Sequence, residues 1–517
     1  MRDLIDIPSA GASPLGRSLA GSDVNWLLHH GAMRFLLLAL GMFIGAASAS
    51  PSAVSTFHSI GLYWSPQGGS EQNAARVEFR KRGDGDWRRG LDLWFDERNG
   101  EYRGSLVELE PGTLYEVKLS LESGLKATLE TKTWNEKFPV KRTVQVQPGK
   151  RVVIRAEDSG DEDGYVVFTA PPGRNVIEGD DKDDSCVVIR QGAHHVIVRG
   201  LVLRNCKRYG ILIQRQSEPV IESQTHDVVI EDNEITGWGG FENLKKDSRL
   251  ADSDGAIHCN YYRETDDARR PDRIIVQGNR IRDPRHGANP WRSSAHGRKH
   301  PYGPLGMMFD RCGRNHVIRY NEIGSANGNH YKDGIGGADN FSAAGFPWAD
   351  SDLYGNRIAN VYDDGIEAEG ANRNVRIWGN HLDRVYVAIA NAATSVGPLY
   401  VWRNVSHRTA GMLNPEGSAE RGPFIKAGSN NPQYNGGRAY YFHNTAMEPS
   451  RGIAPSGGRL YNYVSMGNLF DPRRPERPER IANFNDRYAR PEPGARQSGA
   501  PPMRYGAEAY TSGRSAH

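Results

Sequence analysis

The sequence predicts an all-β protein in which a small β-sandwich precedes a right-handed parallel β-helix. Asn residues end a series of short apolar segments, and the steps from Asn356 to Asn380, from Asn380 to Asn404 and from Asn444 to Asn468 are each 24 residues. A fixed period of this length with β-type segments indicates a solenoid, whose units stack because none can bury its apolar face alone. The 59 Gly residues and a hydrophobic content of 38% also fit a turn-rich β protein.

The repeated Asn is expected to stack from coil to coil. Asn tolerates the left-handed conformation of tight turns, and its amide can bond the amide of the unit above it. Val, Ile, Tyr and Trp fill the segments, which favours a β-helix over a leucine-rich repeat. The repeats, over residues 143–470, resemble the right-handed β-helix proteins of the pectate-lyase-like superfamily. Members of that superfamily mostly cleave or modify polysaccharides, so the resemblance implies a polysaccharide partner.

Residues 1–49 are predicted to be a leader and signal peptide. Arg34 precedes an apolar run over residues 35–44, and Ala47-Ser48-Ala49 forms an A-x-A cleavage site, so Met33 is a candidate true start. The run is too short to span a membrane as a helix, although a membrane anchor is the alternative. We therefore expect a secreted or periplasmic protein without an integral membrane segment after cleavage. The net charge of +3 gives no nucleic-acid footprint.

Residues 52–137 are predicted to form the sandwich. Ile60–Trp64 and residues 75–79 alternate as strands, and Asp84-Gly85 is a hairpin signal. The segment 109–117 resembles the fibronectin type III pattern, which implies that Tyr115 forms a tyrosine corner. Such domains are usually spacers, caps or weak carbohydrate binders. The Pro-, Arg- and Gly-rich residues 471–517 are predicted to be a disordered tail.

The four cysteines show no zinc-binding spacing. We expect Cys186, Cys206, Cys259 and Cys312 to be small apolar residues inside the solenoid. The alternative is a disulfide between neighbouring coils, of which Cys259 with Cys312 is the candidate.

Long insertions between coils begin after residue 234, and insertions in solenoids tend to form a binding face. They carry aromatic and histidine side chains that suit the apolar face of a sugar. The residues predicted to bind substrate from these insertions are His330, Trp348, Trp291 and His300.

Aspartate-bearing turns precede the same strand in successive coils: Asp254-Gly255, Asp333-Gly334 and Asp363-Asp364-Gly365. The last two resemble the two aspartate motifs of polygalacturonase-type β-helix hydrolases. The resemblance implies a catalytic role for Asp333, Asp363 and Asp364. The Gly-His-Gly motif expected in a following coil is absent, and a downstream Arg-x-Lys motif is not evident.

The strand after Asp364 places two further carboxylates beside these aspartates. If Ile366 and Ala368 face the core, Glu367 and Glu369 face outward, because side chains alternate along a strand. Small residues flank them in the adjoining coils and leave a notch: Gly336, Ala338, Ala390 and Ala392. Stacked strands would bring carboxylates within about 5 to 10 Å, a range that glycosidases use.

The sequence therefore predicts glycosidic-bond hydrolysis, with crowding that raises a carboxyl pKa to supply the acid. The predicted catalytic residues are Asp333, Asp363, Asp364 and Glu367, with Glu369 and Lys332 joining the substrate-binding residues. The alternative reading of the aspartates is that they cap Asp-Gly turns.

Two other functions stay open. A polysaccharide lyase acting on a uronate would use a base among Lys332, His330, Arg292, Arg311 and Lys426. It would also use Ca²⁺ held by Asp339, Asp350, Asp352 or the 363–369 cluster, although no calcium-binding motif is present. A non-catalytic glycan-binding or adhesin-like protein would need only the aromatic side chains and the sandwich.

Overall fold

The computed structural model describes residues 50–216, 222–240, 254–291, 300–392, 394–408, 422–428, 434, 436–448, 450–455, 462–470 and 480–482. The predicted signal peptide, Arg292 and most of the predicted tail lie outside these residues. Among them, helical structure is limited to two 3₁₀ turns, Ala156–Asp158 and Asp267–Arg269. No helix of the described residues is long and apolar enough to cross a membrane.

Eight strands form the N-terminal sandwich. They are β1 (Ser52–Ser55), β2 (Ile60–Trp64), β3 (Ala75–Lys81), β4 (Arg88–Arg89), β5 (Trp94–Asp96), β6 (Glu101–Leu106), β7 (Leu114–Leu121) and β8 (Lys126–Lys132). Two antiparallel sheets have the orders β1-β2-β6-β5 and β4-β3-β7-β8. The Tyr115 hydroxyl accepts a hydrogen bond from the Glu110 backbone N–H at 2.9 Å, as in a tyrosine corner. Membership of the fibronectin type III family stays a prediction.

The rest of the described chain is a parallel β-helix. Twelve strands form one sheet: β9 (Val140–Gln145), β11 (Tyr165–Thr169), β14 (His194–Arg199), β17 (His226–Glu231), β20 (Asp272–Gln277), β23 (Val317–Arg319), β26 (Asp352–Tyr354), β28 (Val375–Trp378), β30 (Leu399–Trp402), β33 (Ala439–Phe442), β36 (Tyr463–Met466) and β37 (Arg480–Ala482). All neighbours in this sheet run parallel except β36 and β37. Arg480–Ala482 thus forms a strand inside the segment that was predicted to be a disordered tail.

A second, curled sheet of 17 strands completes the coils. Its strands are β10 (Val152–Ile154), β12 (Val176–Glu178), β13 (Ser185–Arg190), β15 (Val202–Arg204), β16 (Tyr209–Gln214), β18 (Glu234–Thr236), β19 (Gly255–Asn260), β21 (Arg280–Arg282), β22 (Leu305–Asp310), β24 (Glu322–Gly324), β25 (Ile335–Gly336), β27 (Arg357–Glu367), β29 (His381–Asn391), β31 (Val405–His407), β32 (Ile425–Ala427), β34 (Thr445–Ala446) and β35 (Ile453–Pro455). The parallel β-helix predicted from the repeat is confirmed.

The predicted Asn ladder joins the coils. The Asn356 side-chain amide donates to Asn380 Oδ1 at 3.0 Å, and the Asn380 amide donates to Asn404 Oδ1 at 2.9 Å. The backbone N–H of each residue donates to the same oxygen. The ladder extends in both directions and comprises Asn233, Asn279, Asn321, Asn356, Asn380, Asn404, Asn444 and Asn468.

The cysteines are not free apolar residues, because all four form disulfides. Cys259 pairs with Cys312, as the alternative prediction held, and Cys186 pairs with Cys206. Both pairs are buried in the continuous apolar core of the β-helix. Each pair ties together segments that the coil already stacks, so these bonds reinforce the solenoid.

The sandwich packs against the outer face of the 12-stranded sheet. Phe57 shares an apolar cluster with Tyr165, Ile197 and Tyr354 of that sheet, and Trp134 and Phe138 pack against the cluster. The predicted site lies on the other sheet, because Asp363, Asp364 and Glu367 belong to β27 of the 17-stranded sheet.

Candidate functional site

The predicted site lies on the outward face of the 17-stranded sheet. Ile366 and Ala368 are fully buried in the core, as the alternation predicts. Glu367 is in register with Ala390, which in turn is in register with Lys426. On the other side lies Gly336, where an added Cβ would sit only 2.9 Å from Glu367 Oε2. The small-residue notch therefore exists, and it is the space that the Glu367 side chain needs.

Five acidic side chains form a carboxylate cluster at this notch: Asp333, Asp363, Asp364, Glu367 and Glu369. One carboxylate oxygen from each of the three aspartates lies within 4.8 Å of the others. All five side chains are buried, and the most exposed residue, Glu367, is only 6% exposed. Burial of so many like charges is costly, so the cluster depends on compensating groups around it.

The aspartates reach the cluster because two Asp-Gly turns stack. Asp333 Oδ1 accepts the backbone N–H of Asp364 at 3.1 Å, and the Gly334 N–H donates to the Asp364 carbonyl at 3.0 Å. A Cβ at Gly365 would lie 2.4 Å from the Leu382 side chain, so glycine is needed after Asp364. Asp333 thus caps the turn of the next coil through one oxygen, which is the structural role weighed from the sequence.

Three cationic or ionisable side chains neutralise the cluster. Lys426 Nζ lies 2.7 Å from Asp364 Oδ2 and 2.9 Å from Glu369 Oε1. Lys332 Nζ lies 3.4 Å from Asp333 Oδ2. His300 Nε2 lies 3.1 Å from Asp363 Oδ2. The carboxylates still outnumber these partners.

Several carboxylate oxygens have no hydrogen-bond partner within the described part of the chain. They are Asp363 Oδ1, Asp364 Oδ1 and Glu367 Oε2. The other oxygen of Glu367 accepts from the Asn340 side-chain amide at 2.9 Å, and the same amide reaches Glu369 at 3.4 Å. Buried polar atoms without partners are rare, and they point to a site that binds a proton, an ion or a substrate.

The environment separates the protonation states of the cluster. Burial alone would raise the pKa of Asp363, but the hydrogen bond from His300 and the charges of Lys426 and Lys332 lower it. Burial raises the pKa of Asp364 well above its usual value, and neighbouring carboxylates add to this against the charge of Lys426. Burial and the charge of Asp333 likewise raise the pKa of Glu367 well above its usual value.

Lys426 responds in the opposite direction. Burial lowers the pKa of its ammonium group, but Asp364 and Glu369 outweigh this effect and raise the pKa well above its usual value. Lys426 therefore stays charged at neutral pH and balances part of the cluster.

An aromatic surface adjoins Asp363. The Trp291 ring lies 4.6 Å from the His300 ring and 6.1 Å from the Tyr386 ring, measured between centroids. Tyr302 extends this surface, with its ring 5.6 Å from that of His300. His300 thus lies at the cluster and Trp291 lies beside His300, and their role in substrate binding stays a prediction.

The other two predicted substrate-binding residues have different surroundings. His330 stacks on Tyr362 at 4.1 Å, so it neighbours the turn that carries Asp363. The Trp348 ring lies beneath the guanidinium groups of Arg270 and Arg314. The described contacts of this ring are therefore with cations and not with the carboxylates of the cluster.

Four residues considered for the lyase alternative form their ion pairs and hydrogen bonds outside the carboxylate cluster: Arg311, Asp339, Asp350 and Asp352. The Tyr63 hydroxyl of the sandwich contacts both oxygens of Asp350 at 2.7 Å, and Arg376 holds the Asp352 carboxylate at 2.5 Å. Asp339 pairs with Arg311 at 3.0 Å. The assignment of Ca²⁺ to Asp350 or Asp352 is therefore not supported, because both are engaged under the sandwich.

The aspartates of the cluster are the residues that could hold a metal. One oxygen from each of Asp333, Asp363 and Asp364 converges, and a set of carboxylate oxygens suits a hard cation such as Ca²⁺. The ammonium groups of Lys332 and Lys426 occupy the same neighbourhood and would compete with such an ion. The donor set fits a cation, so both protonated and metal-bound forms are chemically reasonable.

Sequence reasoning missed part of this arrangement. Lys426 was considered only as a base for elimination, and Asn340 and Tyr386 were not considered. Strand alternation could have predicted the direction of Lys426. In Ile425-Lys426-Ala427 of a later coil, the two flanking residues are buried and the lysine points outward. Asn340 lies in an insertion, where no periodicity predicts direction.

The fold and this site define a parallel β-helix protein with a buried carboxylate cluster on one face. No protein-family model and no curated protein sequence matches the chain. Among solved structures, an alginate lyase from Paenibacillus sp. str. FPU-7 resembles it with a TM-score of 0.35 and 11% identity, covering 61% of this chain and 98% of that chain. Pectate lyase PelI from Erwinia chrysanthemi, in complex with tetragalacturonic acid, gives a TM-score of 0.15 and 9% identity, covering 82% and 91%. At these levels of similarity, neither activity transfers to this chain.

Proposed function

We propose that this protein is a polysaccharide-active enzyme that hydrolyses a glycosidic bond at the carboxylate cluster. The observation that carries the proposal is the burial of five acidic side chains at one outward notch, beside the aromatic surface of Trp291, His300, Tyr302 and Tyr386. Glycoside hydrolysis requires two carboxyl groups that flank the scissile bond in different protonation states. An aromatic surface beside them provides a face for a sugar ring.

The roles follow from the opposite pKa shifts. Asp364 and Glu367, whose pKa values are raised, are the candidates for the general acid that protonates the leaving oxygen. Asp363, whose pKa is lowered, is the candidate for the ionised base or nucleophile. Environments that push neighbouring carboxyl groups apart in pKa are a general signature of such pairs.

The surrounding groups support this division. Lys426 and Lys332 limit the repulsion among the carboxylates, and His300 holds one oxygen of Asp363. Asn340 orients Glu367 by donating its amide to Oε1, and Glu367 Oε2 has no hydrogen-bond partner among the described residues. A protein that only bound glycans would gain little from burying this many acids, because burial costs stability.

Elimination from a uronate is the second candidate, and the convergence of three aspartate oxygens favours it. Asp333, Asp363 and Asp364 would hold a Ca²⁺ ion, which neutralises a uronate carboxylate when bound. Lys332 is then the candidate base. Lys426 is a poor base, because its raised pKa keeps the ammonium protonated.

A product assay separates the candidates. The protein is incubated with a panel of uronate-containing and neutral polysaccharides, with and without a calcium chelator. Hydrolysis yields new reducing ends without near-ultraviolet absorbance and persists in chelator. Absorbance growth that the chelator abolishes would establish elimination and reject the hydrolase assignment. Tight glycan binding without either product on any member of the panel would favour a binding protein.

A further inference from the structure

A second group of polar side chains lies on the 12-stranded sheet, well separated in sequence from the carboxylate cluster. His194 and His195 begin β14, and His226 and Asp227 begin β17 of the next coil, with His194 in register with His226. We call His194, His195, His226 and Asp227 the histidine cluster. Its four members are each partly buried.

The donor atoms of this cluster converge. Asp227 Oδ2 lies 2.8 Å from His226 Nδ1 and 3.9 Å from His195 Nε2. One donor atom from each of these three residues lies within 4.8 Å of the others. In a tetrahedral zinc site with metal–ligand bonds of about 2.0–2.2 Å, the donor atoms lie about 3.4 Å from one another. The observed donor–donor distances of 2.8 and 3.9 Å lie on either side of this value.

His194 provides a third imidazole beside these three residues. Its ring stacks on that of His226 at 4.8 Å with an interplanar angle of 4°, and its Nδ1 lies 3.1 Å from His195 Nδ1. One of these two rings therefore donates an N–H to the other, which leaves His195 Nε2 as the nitrogen that faces Asp227. Ring stacking accounts for the His194 and His226 rings, and an ion pair with Arg273 holds Asp227, whereas His195 Nε2 faces the same Asp227 oxygen at 3.9 Å.

We propose that the histidine cluster binds a divalent transition-metal ion of the zinc class. Imidazole nitrogens with one carboxylate suit Zn²⁺, Cu²⁺ or Ni²⁺, whereas Ca²⁺ and Mg²⁺ prefer oxygen-only sites. Thiolates do not compete for such an ion, because all four cysteines of the chain are in disulfides. The ion would bridge two consecutive coils and so reinforce their stacking.

Arg273 of the following coil binds the carboxylate of Asp227. Its Nε donates to Asp227 Oδ1 at 3.0 Å, and its terminal nitrogen bonds Oδ2, the oxygen that faces the imidazoles. Arg273 therefore orients Asp227 as an outer partner, as ligating carboxylates commonly require, but it also competes for one lone pair of Oδ2. Replacing Arg273 with Gln should remove that competition and tighten metal binding.

The test is calorimetric titration of untagged full-length protein with Zn²⁺, together with the visible spectrum of the Co²⁺ form. We expect one saturable high-affinity ion per chain and an intense tetrahedral Co²⁺ spectrum. His226→Ala and Asp227→Asn should each weaken binding at least about tenfold, since loss of even a residue that only orients a metal ligand typically costs about 10- to 100-fold in affinity. Because folding brings the donor atoms together, Zn²⁺ should bind the folded chain more tightly and so raise Tm in a concentration-dependent way.

Two controls locate the effect. His443→Asn changes an exposed histidine on a turn of another coil and should leave Zn²⁺ binding unchanged. Asp364→Asn should leave it unchanged as well, which separates this site from the carboxylate cluster. Absence of saturable Zn²⁺ binding in the unaltered protein, or unaltered affinity and spectrum in both His226→Ala and Asp227→Asn, would overturn the proposal.

Discussion

Individual carboxyl groups in the cluster differ because their neighbours differ. Asp363 is paired with His300, whereas Glu367 is bonded by the neutral Asn340 amide. Both are buried, which raises the pKa of each, so the charges around each carboxyl group decide the direction of its shift: cations favour the ionised form and carboxylates disfavour it. Burial and the charge of Asp333 raise the pKa of Glu367, whereas the hydrogen bond from His300 and the charge of Lys426 outweigh burial and lower the pKa of Asp363.

The first prediction concerns turnover. Asp364→Asn and Glu367→Gln should each reduce kcat about 100-fold or more on whichever glycan the product assay identifies, because each removes a candidate proton donor. The matched control is Glu322→Gln, which changes a half-exposed carboxylate paired with Arg282 outside the cluster. Near-wild-type turnover in both cluster variants would reject this cluster as the catalytic site.

The second prediction concerns stability and pH. Because the pKa of Glu367 is raised in the folded state, the folded chain holds a proton there that the unfolded chain releases. Stability associated with this proton is present below the unfolded pKa, about 4.3, and is lost as pH rises through the folded pKa. The glutamine in Glu367→Gln does not titrate. The Tm of the variant minus the Tm of the wild type should therefore increase as pH rises.

Measurement of Tm for both proteins from pH 4 to pH 9 checks this expectation. The difference should be smallest at the acidic end and should favour the variant increasingly at higher pH. A difference that is constant with pH would show that Glu367 ionises normally in the folded protein. A more stable variant with little activity would mean that the cluster sacrifices stability for function.

At the scale of a structural element, the Asn ladder fixes the register of the coils. Asn380 accepts two bonds from Asn356 through Oδ1 and donates its amide to Asn404 and to the Leu353 carbonyl, all in a fully buried position. Each rung therefore satisfies polar groups of two coils at once. Removal of one side chain leaves several buried groups without partners.

The third prediction follows from this bonding. Asn380→Ala should lower the free energy of unfolding by at least about 3 kcal/mol, since each unsatisfied buried group costs about 1–3 kcal/mol. Asn260→Ala is the control, because Asn260 lies half-buried on the outward face of a strand. Denaturant unfolding measures both. Equal losses for the two variants would mean that the ladder is incidental to stability.

Predictability from sequence depended on whether a residue belongs to the repeat. Asn356, Asn380 and Asn404 follow one another without insertions. Their spacing therefore indicated the length of one coil, and their stacking could be predicted. Glu367 was predicted correctly as outward-facing for the same reason, because strand alternation fixes direction. Asn340 and Trp348 lie in an insertion, where neither period applies, and the position of Trp348 beneath Arg270 and Arg314 could not be derived.

Contacts between distant coils or domains were also beyond sequence reasoning. Lys426 approaches Asp364 across 62 residues and an intervening insertion. The bond from Tyr63 to Asp350 spans 287 residues. Such pairs depend on how the sandwich and the later coils dock, and no local pattern records that docking.

At the scale of the whole molecule, buried polar contacts attach the sandwich to the β-helix. Arg376 and Asp352 form a fully buried ion pair at 2.5 Å, and Asp352 also accepts the Thr56 hydroxyl of the sandwich at 2.5 Å. Arg376 reaches Ser105 of the sandwich at 3.4 Å. This arrangement favours a fixed attachment over a flexible spacer. It also lies on the 12-stranded sheet, so it does not involve the carboxylate cluster.

The last prediction tests this attachment. Arg376→Met should destabilise the protein by about 3–5 kcal/mol, because it leaves the Asp352 carboxylate buried without its cation. Arg403→Met removes a partly exposed pair with Glu108 across the same contact and should cost less than about 1 kcal/mol. The double variant Arg376→Met with Asp352→Asn should recover part of the loss, since no buried charge remains.

Calorimetry should show sandwich and β-helix melting in one transition in the wild type, with unchanged turnover per folded molecule in Arg376→Met. Separate melting of a sandwich in the wild type, or equal costs for the Arg376 and Arg403 changes, would contradict a fixed attachment through the buried pair.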